Sequence, residues 1–80
     1  MPRYFFHMSI GPVYIHDYEG VELPNDGAAR GRAMQDIMAI CRAGVVRRQN
    51  PAMCAVVVAN KEGELFRVPF VEAPGVVPGT

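Results

Sequence analysis

Three features that small proteins often rely on are scarce in this chain: disulfides, net charge and long hydrophobic runs. Its two cysteines, Cys41 and Cys54, each lie inside an apolar run rather than a loop. They read as small reduced core thiols and argue against a disulfide scaffold. Formal net charge is zero, which speaks against a nucleic-acid binder driven by overall electrostatics. No uninterrupted apolar run approaches the ~20 residues of a membrane helix, and no basic-then-apolar leader opens the chain. The expected location is the cytoplasm. A phosphate-cradling loop is also missing, because Gly27, Gly31 and Gly44 fall within the expected helix rather than between a strand and a helix start. There is no spaced Cys/His framework, no repeat and no linker.

What remains is ordinary globular material. The 80 residues are 50% hydrophobic and 20% charged, enough for one domain that buries only ~60–65% of its unfolded surface. Charge is unevenly placed. Asp17, Glu19, Glu22 and Asp26 form an acidic stretch, and Arg30, Arg32, Arg42, Arg47 and Arg48 follow it against Asp36 alone.

Residues 3–10 alternate Tyr4, Phe6, Met8 and Ile10 against Arg3, Phe5, His7 and Ser9, which predicts a strand. Gly11-Pro12 turns the chain and strand character resumes over 13–18. Asn25 is a sound helix N-cap, with Asp26 placing negative charge at the positive end of the dipole. Ala29, Ala33, Ile37, Ile40, Cys41 and Gly44 then recur at helical spacing, and Asn50-Pro51 is expected to end the helix. Residues 52–59 are nearly all apolar and predict a buried strand. Residues 60–63 make a hairpin turn, and 65–70 form a last strand that Pro69 confines to a sheet edge.

The expected fold is α+β, a two-layer ββαββ arrangement with one helix on one face of a four-stranded, mostly antiparallel sheet. Strand order 2-1-3-4 is favoured. The alternative is a β-grasp, with strands one and four parallel in the middle. Residues 1–70 form the expected domain, and 71–80 a Pro/Gly-rich tail.

A turn at Gly11-Pro12 sets paired positions so that His7 faces His16, Phe5 faces Tyr18 and Ser9 faces Tyr14 on one side of the sheet. Met8, Ile10, Val13 and Ile15 make the better core, so the histidine side is expected to point away from the helix. Two imidazoles across a hairpin are weak candidates for a metal site, since zinc takes three or four ligands. No nucleophile with an orienting group accompanies them, so catalysis has less support still. Arg30 falls within the apolar stripe on a helical wheel. It is expected to form a structural ion-pair clamp with Asp17, Glu19 and Glu22.

Four segments together resemble a known family: Pro2-Arg3-Tyr4-Phe5-Phe6-His7, Asp17-Tyr18-Glu19-Gly20-Val21-Glu22-Leu23-Pro24, Ala28-Ala29-Arg30 and Val68-Pro69-Phe70. The family comprises short alphaproteobacterial, rhizobia-like proteins that share a domain of unknown function, often open MPRYFFH and continue with EGVELP. The resemblance covers about residues 1–70. Relatives usually carry an acidic, alanine-rich helix where this chain has Gly31, Arg32 and two methionines. The resemblance implies a compact bacterial domain and carries over neither an activity nor site residues.

The leading functional expectation is a non-catalytic homo-oligomerising or protein-interaction module, a dimer in its simplest form, using Phe5, His7, Tyr14, His16 and Tyr18. One helix covers one sheet face only, and exposed apolar patches mark interfaces. A second class is a small regulator touching nucleic acid through Arg32, Arg42, Arg47 and Arg48. A third is a metal-binding or enzymatic protein using His7 and His16. No cofactor is expected.

Overall fold

The computed structural model describes residues 1–44 and 50–73. Five strands and one helix follow in the order β1 (Arg3–Ile10), β2 (Val13–Ile15), β3 (Val21–Glu22), α1 (Asp26–Ala43), β4 (Cys54–Asn60) and β5 (Gly63–Pro69). Short 3-10 turns at Pro51–Met53 and Phe70–Glu72 flank the last two strands. The class is α+β. The sheet runs β2-β1-β4-β5, with β3 also pairing β1, and every pairing is antiparallel. The parallel central pair of a β-grasp therefore does not occur.

The four-strand plan gains a fifth element because the expected second strand is split. β2 stops at Ile15, where the Asp17 carboxylate takes the Phe6 N–H at 3.0 Å in place of a ladder carbonyl. The chain then loops out and returns as β3 beside Arg3 and Tyr4. The first hairpin keeps the expected register, with Met8 opposite Ile15 and Ile10 opposite Val13. Gly11, at φ 56°, leads its two-residue turn.

Asn25 caps the helix, accepting the Ala28 N–H at 2.8 Å. The other end differs from expectation. The helix stops at Ala43, and Gly44 takes the left-handed conformation (φ 77°), its N–H reaching back to the Cys41 and Ile40 carbonyls. Gly44 is thus a C-terminal cap rather than a member of the apolar stripe, as its missing Cβ favours. Residues 45–49 lie outside the described part of the chain, and with them the candidate nucleic-acid contacts Arg47 and Arg48.

Helix and sheet meet through small residues. Ala29, Ala33 and Ile37 pack against Tyr4, Phe6, Val56, Val58, Val68 and Phe70. Alanine at two successive turns allows a close approach, and the large rings of the sheet fill the space between. Ala73 is also buried in this core, so the domain's packing runs past residue 70, where the tail was expected to begin. Residues 74–80 lie outside the described part of the chain.

The helix packs over β4 and β5 and leaves β2 bare. Val13, Tyr14 and Ile15 are each about half exposed. Among the described residues no helix is long and apolar enough to cross a membrane.

Candidate functional site

Strand alternation sends Phe5, His7 and Ser9 of β1, and Ala55, Val57 and Ala59 of β4, to the side away from the helix. His7 sits opposite Val57, and Phe5 opposite Ala59. On this open face five rings form a ladder. The imidazoles of His7 and His16 stack with centroids 4.1 Å apart and planes inclined by 30°. Tyr18 follows at 4.4 Å from His16, and Phe5 lies parallel to His7 at 6.4 Å. Tyr14 is 5.8 Å from His7. The structure thus brings together all of the expected face, but with unequal exposure. Tyr18 is 83% exposed and His7 only 7%.

His7 is fixed from behind. The Asp17 N–H donates to His7 Nδ1 at 3.0 Å, and a donor can be met only by a lone pair. The ring is therefore neutral, with its proton on Nε2. Burial holds the imidazole below its ordinary pKa, and the neighbouring His16 pushes the same way, against the opposing pull of the Asp17 carboxylate.

Asp17 organises the loop that follows. Its Oδ1 accepts from the Glu19 and Gly20 N–H groups at 3.1 and 3.2 Å, while Oδ2 takes Phe6 N–H. Burial alone raises its pKa, but these three backbone donors, with the nearby His7, more than offset it and leave the carboxyl below its ordinary range. Gly20 closes the loop against β1 at φ 71°. A Cβ there would stand 2.8 Å from the Tyr4 carbonyl oxygen and 2.9 Å from the Phe5 ring. Only glycine meets both demands.

The expected clamp is not where Arg30 is. Arg30 is exposed and its guanidinium lies over the Phe66 ring at 4.6 Å from the centroid. Asp17 is consumed by backbone donors on the other side of the sheet, so Arg30 has no access to it. Arg3 holds the acidic loop instead, donating to the Glu19 carbonyl at 2.7 Å and to Glu22 at 3.5 Å. The sequence signal was the position of Arg3 opposite Glu22 in β1–β3 pairing, which requires knowing that β3 exists.

Across the sheet, the open face ends in Glu64 and Arg67, bonded through two contacts of 2.8 and 3.1 Å. The Arg67 contact lowers the Glu64 pKa, and the Arg67 pKa is raised in turn. Residues three apart on a regular strand face opposite ways. A register shift between Val58 and Ala59 skips Leu65 and returns Glu64 to the face of Arg67. No sequence pattern signals it. Rings on one side, Glu64 and the Lys61-Glu62 turn on the other, bound a cleft of about 500 Å³ floored by Val57 and Ala59.

The remaining candidates separate. Arg32 donates to Asp36 at 3.3 Å on the solvent side of the helix, and Arg42 is exposed in the last helical turn. Among the described residues no group of three or more His, Cys, Asp or Glu side chains converges on a point. The Nδ1 lone pair of His7 is already taken by the Asp17 N–H. Cys54 is buried and Cys41 half-buried, both as thiols. Burial pushes the Cys41 thiol up, with Cys54 adding to it.

A family model described as a domain of unknown function (DUF6894) matches residues 3–71. The chain belongs to that family. The match runs from the first residue of β1 into the final 3-10 turn, and so takes in the ring ladder, the Asp17 loop and the cleft. No curated protein and no solved structure matches the chain.

Proposed function

We propose that this domain is a non-catalytic interaction module that associates with a second copy of itself through the edge strand β2. The observation that carries the reading is β2 itself, a three-residue strand exposed on both faces. The helix packs over β4 and β5, and Val13, Tyr14 and Ile15 stay about half exposed. The two-residue turn pairs Ile10 with Val13, so the main-chain groups of Tyr14 point away from β1. An apolar edge strand with outward main-chain groups is a template for another strand.

Antiparallel pairing about a two-fold axis sets Tyr14 opposite its own equivalent, and Val13 opposite Ile15 twice over. Zero net charge leaves no overall repulsion between copies. The setting we infer is a bacterial cytoplasm, where two free thiols stay reduced.

Sedimentation velocity of the parent and of a Val13→Lys, Ile15→Lys variant tests this. The parent should be dimeric at micromolar concentration and the variant monomeric with an unchanged circular dichroism spectrum. A parent that stays monomeric throughout sinks the reading. A chain truncated after Ala73 should sediment as the parent does; if only the truncated chain associates, the tail covers the strand and the proposed pairing is wrong.

A further inference from the structure

We propose that the cleft on the open face binds an uncharged, planar heteroaromatic ligand, stacked on the exposed rings of the ladder and accepting a hydrogen bond from His7 Nε2–H. The site is built within one chain but shares Tyr14 with the β2 edge, so its test is kept separate from self-association.

The donor is the first reason. His7 is among the most buried polar side chains, yet one of its nitrogens is unused. Nδ1 is taken by the Asp17 N–H, and no other hydrogen bond reaches the ring among the described residues. Among the described residues no enclosed side-chain nitrogen or oxygen lacks a partner, so Nε2 keeps access to solvent, and the cleft is the space that His7 lines. Stacking against His16 and the Asp17 bond hold the ring in place. The result is a fixed donor at the edge of an apolar space, the feature that orients a ligand in small-molecule sites.

Shape supplies the second reason. The floor is Val57 and Ala59, both short, while rings rise beside them on the β1–β2 side. A volume of about 500 Å³ lies within the common range for small-molecule clefts. Tyr18 offers a largely exposed ring 4.4 Å from His16, and aromatic faces favour offset stacking with another flat π-system.

Charge supplies the third. The Asp17 carboxylate is saturated by three backbone donors, and Glu64 is neutralised by Arg67. The neighbouring turn adds one base and one acid, Lys61 and Glu62. Neither a cation nor an anion gains a net partner, which selects a neutral ligand whose ring edge carries an acceptor.

The two histidines give a direct readout, since their Hε1 protons are resolved in a one-dimensional NMR spectrum. The probes are adenosine and caffeine as neutral heteroaromatics, with choline and benzoate as charged comparisons. Titrations use the Val13→Lys, Ile15→Lys variant, so that the outcome is separate from dimerisation. Adenosine and caffeine should give saturable shifts of both histidines, and choline and benzoate weaker ones. Tyr18→Ala, which removes an exposed ring without touching the core, should weaken binding by about tenfold, the usual effect of losing one stacking partner. His7→Phe should weaken it further while retaining a ring; if that variant unfolds, Tyr18→Ala carries the test alone. Absence of a saturable shift for both neutral probes up to about 10 mM, a generous ceiling for fragment-sized ligands, overturns the proposal. So does tighter binding of either charged probe, or a Tyr18→Ala variant that binds as well as the parent.

Discussion

Along β4, Cys54, Val56 and Val58 face the helix, while Ala55, Val57 and Ala59 face away. The two sets come from one strand and differ little in size or hydrophobicity, yet they serve different surroundings. On the helix side they meet Ala33, Ile37, Phe6 and Phe70 in a dry layer. On the open side Val57 and Ala59 are nearly as buried, but they are covered by long side chains of the same sheet: aromatic and imidazole rings from one edge, the Glu64–Arg67 pair from the other. A face hidden by its own side chains keeps polar groups near its apolar floor. A face hidden by a helix does not. The helix side therefore holds the fold, and the open side holds the groups with something to offer a ligand.

The contrast can be broken most severely from the helix side. Phe70→Ala removes a fully buried ring and should cost about 3–5 kcal/mol. For a domain this small that is most of its stability, and chemical denaturation should show it. A loss under about 1 kcal/mol would mean that the ring's surroundings collapse around the gap.

The open side should break at its polar anchor. Asp17→Ala strands the N–H groups of Phe6, Glu19 and Gly20, of which Phe6 is in the core strand. The expected loss is about 1–3 kcal/mol, read as a lower melting temperature. An unchanged melting temperature would show that water replaces the carboxylate at no cost.

Acid should weaken the open side through His7. Its folded pKa lies below the ordinary value because burial and His16 disfavour the charged ring. Between the folded value and about 6.5 the unfolded chain binds the extra proton, so stability rises with pH and is complete above that window. It declines as pH falls from about 6.5 toward the folded value. Protonation at Nδ1 also ends the bond from Asp17. Thermal melts across this range should show the decline in the parent and a flatter profile in His7→Phe. Equal slopes in the two would assign the effect elsewhere.

The smallest effect is expected from Arg30. With its guanidinium exposed over Phe66 rather than clamped to carboxylates, Arg30→Ala should cost less than about 1 kcal/mol. A larger loss would revive a structural role for this cation.

Much of this arrangement was legible in the residues, and the parts that were not share a cause. The two-residue turn at Gly11-Pro12 and the alternation of 3–10 place His7 beside His16 and turn both away from the helix. The Asn25 cap and Pro69 at the sheet edge were equally readable, because each rests on local geometry. Gly44 was misread, since glycine at a helical position on the apolar stripe looks the same in sequence whether the helix continues or ends. Arg30 was misjudged because the wheel gives a direction and not what stands there: the helix tilts it over Phe66, and Asp17 had already been taken by the backbone of β1.

By itself the sequence determined the α+β class, the single helix, the first hairpin's register and the identity of the ring face. These follow from chain periodicity and from the fixed torsions of glycine and proline, which need no knowledge of distant partners. Tertiary structure alone decided the rest. The split of the second strand depends on a carboxylate finding an N–H eleven residues away. The Glu64–Arg67 pair depends on a register shift between two strands. The cleft exists only because rings from β1, β2 and the loop after it, and Glu64 of β5, stand on either side of small residues in β4. Contacts between segments far apart in the chain are set by what else competes for each group, and that competition is resolved only when the whole sheet has formed.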